Sequence, residues 1–192
     1  SGDTWTVTVS SITGDGTMGI SIAAGTAVDT MGNLAPAAGP SDTFSVDNTP
    51  PTITISAPSA DFTLSGFITY TVTYDDALSG LSIVTLASGD VTLNTTGTAT
   101  GTVGVSGSGD TWTVTVSSIT GDGTIGISIA EGTAVDTLGN LAPAAGPSDT
   151  CTVDNTPPTV TLGAPSAALT RGGPIAYTVT YDDALSGLAA VT

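Results

Sequence analysis

Residues 108–116 run Ser108-Gly109-Asp110-Thr111-Trp112-Thr113-Val114-Thr115-Val116, with an apolar side chain at every second position from Trp112 onward. A period of two is that of a β-strand with one face buried and the other in water. The same nine residues stand at Ser1–Val9, an offset of 107. The copy continues to the last residue, where Thr85 matches Thr192, and only 16 of the 85 comparable positions differ. Such identity marks a tandem duplication. Its unit is the size of a domain, far longer than the roughly 20–50 residues of a solenoid repeat.

The joint between units reads Val46-Asp47-Asn48-Thr49-Pro50-Pro51 and recurs as Val153-Asp154-Asn155-Thr156-Pro157-Pro158. Paired prolines stiffen a connection and cannot donate to a sheet ladder. Cutting there gives residues 1–47 as the C-terminal part of one unit, 48–154 as a complete unit and 155–192 as the N-terminal part of the next. Neither partial unit carries a counterpart of 86–107. The leading expectation is a stretch of a longer beads-on-a-string array. The alternative is a fibre in which partial units of different chains complete each other by strand exchange.

Within the complete unit, alternation predicts strands at 52–55, 68–74, 81–86, 112–116, 126–130 and 150–153, with one or two weaker strands in the Gly- and Thr-rich stretch 91–105. Ile68, Tyr70, Val72 and Tyr74 share one face, as do Trp112, Val114 and Val116. About seven short strands in 107 residues, separated by Gly, Pro and Asp turns, predict an all-β chain of tandem immunoglobulin-like β-sandwiches. The 38 threonines suit the solvent face of such a pleat.

Composition removes many functions. The chain has one Lys or Arg (Arg171), 17 Asp or Glu, no His and a net charge of -16. Without a basic surface it has no means of gripping nucleic acid phosphates or an anionic membrane. It lacks His and Lys for acid–base or Schiff-base catalysis, and its lone Cys151 cannot complete a zinc site. No enzyme activity is expected. Hydrophobic residues make 39% of the chain, which separates it from acidic disordered sequences. No apolar run is long enough to span a membrane, and no signal peptide is visible.

The joint at 46–51, the turn Tyr74-Asp75-Asp76, and Asp136-Thr137-Leu138-Gly139-Asn140 together resemble the bacterial Ig-like repeats of giant surface adhesins and biofilm-associated proteins. The resemblance covers essentially all 192 residues. It implies an extracellular array at the bacterial cell surface, often stiffened by calcium, whose neighbours are further Ig-like repeats of the same chain. Such repeats form stalks that hold an adhesive tip away from the cell.

The acidic residues fall at corners. In an Ig-type sandwich the loops after the second and sixth strands lie at the pole where the preceding linker enters. Asp75 and Asp76 lie in the first of these loops, Asp136 and Asn140 in the second, and the linker brings Asp47 and Asn48. At the next junction Asp154, Asn155, Asp182 and Asp183 repeat the set. Carboxylates crowded together repel, and no cation of the chain neutralises them. Ca²⁺, which takes six to eight oxygen ligands in flexible geometry, would do so and would clamp unit to unit. The plainer reading is that each Asp or Asn caps its own turn. Asp15 and Asp122, in Gly-Asp-Gly turns, are read as turn residues able to reach the next linker.

Other signals carry less. Gly121-Asp122-Gly123-Thr124 occurs once per unit, unlike tandem calcium-binding nonapeptides. Alternating Thr suits any exposed strand face as well as it suits ice. Asn94-Thr95-Thr96 is a glycosylation sequon that matters only in a host that modifies it. Asp75 and Asp76 are adjacent, not set across a cleft as glycoside hydrolysis needs. Trp5, Trp112 and Cys151 read as core residues rather than sugar platforms or a nucleophile, which leaves a carbohydrate-binding module as a weaker alternative to the stalk and the fibre.

Overall fold

The computed structural model describes residues 3–192, and these contain strands and one short 3₁₀ turn at Ser88–Asp90 but no α-helix. In residues 1–47 two short strands, β1 (Gly16–Met18) and β2 (Phe44–Val46), pair antiparallel. The complete unit then supplies β3 (Thr52–Ile55), β4 (Phe62–Thr63), β5 (Ile68–Asp75), β6 (Leu81–Val84), β7 (Val91–Thr95), β8 (Thr100–Ser108), β9 (Thr111–Thr120), β10 (Gly123–Ile129), β11 (Ala134–Asp136) and β12 (Cys151–Val153). Residues 155–192 add the antiparallel pair β13 (Thr159–Leu162) and β14 (Val179–Asp182).

Two four-stranded sheets, in the orders β3-β5-β9-β8 and β4-β12-β10-β7, make the body of the complete unit, and β6 pairs with β11 beside them. Alternation sets which residues enter the core. Ile68, Tyr70, Val72 and Tyr74 of β5 are buried, as are Val114 and Val116 of β9. Ile125, Ile127 and Ile129 of β10, with Cys151 and Val153 of β12, close the same cluster from the other sheet. Each such side chain contributes about 1.5–3 kcal/mol on burial. The opposite face of β5 is threonine, and Thr71 and Thr73 are exposed.

Two tyrosines of β5 bond across the interior, one to the facing sheet and one to the turn between β10 and β11. Tyr70 Oη donates to the Ile125 carbonyl at 2.9 Å, and Tyr74 Oη donates to Thr133 Oγ1 at 2.9 Å. Burial pushes the Tyr70 hydroxyl up to about 12. Cys151 is a buried core residue whose thiol burial also pushes upward, away from thiolate reactivity.

The stretch 91–105 forms β7 and the first part of the nine-residue β8. The short strands β4 and β11 were not apparent in the alternation. The loop expected after Ile129 instead holds β11, whose Asp136 pairs with Leu81 across an irregular register. Trp5 departs from expectation most sharply. Alternation places it in the core, yet it is 90% exposed, because residues 4–9 have neither a paired strand nor an opposing sheet. Trp112, in the identical sequence, is half-buried against the core and donates from Nε1 to the Gly109 carbonyl at 3.0 Å. Asn94 is held by a 2.7 Å bond from Nδ2 to Ser128 Oγ.

Replacing Tyr70 with Phe keeps the ring and removes the bond between the sheets. The substitution should lower unfolding free energy by roughly 1 kcal/mol, and Tyr74→Phe should behave alike, read from urea denaturation midpoints at unchanged slope.

Candidate metal centre at the junction

Asp47 leaves β2 and enters the joint, so the preceding unit and the linker position it. Its Oδ1 accepts the Thr49 N–H at 2.9 Å, closing a turn over its own backbone. Its Oδ2 reaches 32 residues ahead to accept the Ser79 N–H at 3.0 Å. Ser79 belongs to the loop after β5, and Asp76 organises that loop. Asp76 Oδ1 accepts from the N–H groups of Leu78, Ser79 and Gly80 at 3.2, 2.9 and 2.8 Å. The Ser79 amide therefore lies between two carboxylates.

The third carboxylate comes from the end of β11. Asp136 Oδ1 accepts the N–H groups of Leu138, Gly139 and Asn140 at 2.9, 2.7 and 2.8 Å, and Oδ2 accepts Asn140 Nδ2 at 2.7 Å. The same Asn140 amide also donates to the Asp47 carbonyl at 3.2 Å. Thr137 fastens this loop to the loop after β5, donating from N–H to the Gly80 carbonyl and from Oγ1 to the Ser79 carbonyl.

The result is a trio, Asp47, Asp76 and Asp136, whose ligating atoms all lie within 4.8 Å of one another. Asp47 and Asp136 are buried, and Asp76 is half-buried. Backbone amides compensate part of this charge. Burial pushes the Asp136 carboxyl up, but the hydrogen bonds from Asn140, Leu138 and Gly139 outweigh it and hold the group below the usual carboxylate value. Among the described residues, Asp76 Oδ2 accepts no hydrogen bond, so one oxygen of the trio has no protein donor. The arrangement can hold a metal ion.

Of the other residues expected here, several lie elsewhere. Asp75 ends β5 opposite Thr52 with an exposed side chain, and its carbonyl accepts from Thr52 Oγ1. Asn48 faces the preceding unit. Its N–H donates to Asp15 Oδ1 and its Nδ2 to the Gly14 carbonyl, both at 2.6 Å, while Thr49 Oγ1 donates to Asp15 Oδ2 at 2.6 Å. Asn155 and Thr156 repeat this grip on Asp122 and the Gly121 carbonyl. Asp15 and Asp122 are thus linker clamps that use both carboxylate oxygens, beyond the turn role assigned to them from sequence. The bonds from Asn48 and Thr49 hold Asp15 below the ordinary carboxylate value. The clamp needs a tight Gly-Asp-Gly turn. A Cβ on Gly121 would strike the Thr98 carbonyl, and one on Gly123 the Thr96 carbonyl.

At the second junction Asp154 Oδ2 accepts the Ser186 N–H at 3.1 Å, and Asp183 Oδ1 accepts the N–H groups of Ser186 and Gly187 at 3.0 Å each. Two of the three acidic positions are therefore reproduced, with Asp182 exposed like Asp75. In residues 1–47, Asp29 and Asn33 make the same internal turn as Asp136 and Asn140 while exposed.

Comparison with protein-family models, with curated proteins and with solved structures finds no match.

Hydrogen bonds hold the carboxyls of Asp15, Asp136 and Asp154 below the ordinary aspartate value of 3.8. Their stabilisation is complete above 3.8 and is lost as pH falls through the lower folded values. In metal-free buffer, stability should hold from neutral pH and fall below 3.8. Asp136→Asn should be less stable at neutral pH and lose less on acidification, by denaturant melts across that range.

Proposed function

We propose that this chain is a structural spacer, a tandem run of Ig-like β-sandwich units in the stalk of a long extracellular bacterial surface protein. Ca²⁺ at each acidic pole fixes one unit to the next. The observation that carries this reading is the origin of the trio. Asp47 comes from the joint, whereas Asp76 and Asp136 come from the following unit. An ion bound there stiffens the connection.

The donor set suits calcium. All the candidate ligands are hard oxygens, and two oxygens opposed on one Ca²⁺ stand about 5 Å apart, twice a bond of roughly 2.4 Å. A softer metal would call for His or Cys, and the chain has no His and a single buried Cys. The mechanism is electrostatic: without an ion the carboxylates repel and the pole loosens, and with one they share a coordination shell. The two-sided linker contacts, to Asp15 behind and to Ser79 ahead, support a joint of restricted angle. A stalk outside the cell meets proteases, and a chain with one Lys or Arg offers trypsin-like enzymes almost nothing to cut.

Thermal melts in millimolar Ca²⁺ and in EDTA test the reading. An ion at a hundred times its dissociation constant adds about 2.7 kcal/mol, which in a domain of this size raises Tm by roughly 10 °C or more. Asp76→Ala should abolish the calcium response, and Asp75→Ala should retain it. An unchanged Tm in calcium would reduce the acidic pole to turn chemistry.

A further inference from the structure

A sheet edge presents unpaired N–H and C=O groups, and proteins blunt such edges with prolines, charges or very short strands. The two four-stranded sheets of the complete unit end in four edge strands, β3 and β8 in one sheet, β4 and β7 in the other. Three of them are blunted. β3 has four residues, entered through Pro50-Pro51 and left towards Pro58; β4 has two, beside Asp61; β7 has five, behind Asp90. β8 has nine residues, with no proline and no charge. It lies within residues 91–109, a run of 19 without a charged side chain and the longest such run in a chain of net charge -16. Thr102 faces Ser117 and Thr100 faces Thr120, so the extra residue of this irregular register belongs to β9 and does not blunt β8.

The strand is also a palindrome. Thr100-Gly101-Thr102-Val103-Gly104-Val105-Ser106-Gly107-Ser108 reads alike in both directions about Gly104, hydroxyl for hydroxyl. Two antiparallel strands related by a two-fold axis meet in reversed order, so a palindrome is complementary to itself. Gly104 has no steric reason inside its own unit. A Cβ on Gly101 would strike the Val116 side chain at 2.6 Å, and one on Gly107 the Thr111 carbonyl at 2.7 Å. One on Gly104 meets nothing nearer than the Thr115 carbonyl at 3.9 Å. Glycine inside a strand weakens it and often marks the close approach of another backbone. We propose that β8 pairs antiparallel with β8 of a second copy of this chain, Gly104 opposite Gly104.

In that register Val103 faces Val105, Thr102 faces Ser106 and Thr100 faces Ser108 of the other copy. Val103 and Val105, half-buried against the core, cover each other across the axis. The β3-β5-β9-β8 sheets of the two copies join into one of eight strands, and exposed Thr102, Gly104 and Ser106 continue its outer face. Contact of one edge with itself closes as a dimer. Copies with a net charge of -16 repel, so association strengthens as salt rises. None of this needs an ion at the acidic trio, and the test is run in EDTA, where it is independent of the calcium reading.

Sedimentation of the full chain across concentration and salt should show the 18.6 kDa monomer passing to a dimer of twice that mass. Gly104→Asp, like Gly104→Lys, sets two like charges directly opposite each other. Each variant alone should stay monomeric where the wild type pairs, and their mixture should pair as a heterodimer. Residue 104 is exposed with open space above it, so the melt of the complete unit should not move. A Gly104→Cys variant checks the register without added charge. Directly opposed residues of an antiparallel pair stand about 4.5–5.5 Å apart at Cα, within reach of a disulfide. Mild oxidation should link its copies through residue 104, because Cys151 is buried. Thr100→Cys, whose two thiols fall at opposite ends of the pairing, should stay unlinked. A wild type monomeric at every concentration leaves the edge to some other strand and overturns the proposal. So do charged variants that associate like the wild type, a mixture that does not pair, or linkage at Thr100→Cys as fast as at Gly104→Cys.

Discussion

Tyr70 and Tyr74 fill the space between the two sheets; the Tyr70 hydroxyl reaches across to β10 of the other sheet and the Tyr74 hydroxyl to Thr133 in the turn between β10 and β11. A sheet with one apolar face is stable only when a second sheet covers it. Here the cover is specific. The tyrosine rings occupy the interior, and their polar ends find a carbonyl or a hydroxyl in place of water. Burial of Ile125, Ile127 and Ile129 follows from that closure, as does the placing of the loops at the poles.

The pole that receives the linker concentrates negative charge because three segments far apart in sequence converge on it. Each acidic residue first satisfies its own turn, and this explains why the chain tolerates buried Asp without a single nearby base. Asp136, only 1% exposed, accepts four hydrogen bonds. What turn formation leaves over is a half-buried Asp76 with one oxygen lacking a donor beside two other carboxylates, an arrangement that can hold a metal ion. The Asp15 and Asp122 clamps work on the opposite side of the linker. The joint is therefore held from both ends, by hydrogen bonds behind it and by the acidic loops ahead.

The internal copies separate local from non-local causes. The Asp29–Asn33 loop is exposed, yet it forms the same turn as Asp136–Asn140, so that loop is encoded within five residues. Residues 4–9 match 111–116 in every side chain, yet one segment is irregular and exposed while the other lies in a ten-residue strand. The strand needs the ladder from β5 and β8 and the cover of β10 and β12. The peptide alone lacks both.

Much of the complete unit was legible in the alternation of its apolar residues. The strand at Thr52–Ile55, the inward set Ile68, Tyr70, Val72 and Tyr74, and the all-β character follow from a period of two and from turn residues. β4 and β11 were not legible, because strands of two and three residues are too short to show a period and exist only through their partners β12 and β6. The acidic pole was legible as a set of loops, but not in its membership. Adjacent side chains on a strand point to opposite faces, so of Asp75 and Asp76 only the second could reach the trio. Asn48 and Asp15 meet across 33 residues; the sequence allows that reach toward the linker but favours a plain turn role for Asp15. Sequence determined the repeat, the strands and the turns, because these depend on neighbours along the chain. Which carboxylates meet, and which copies of one peptide become strand, depended on what the folded chain brings opposite them.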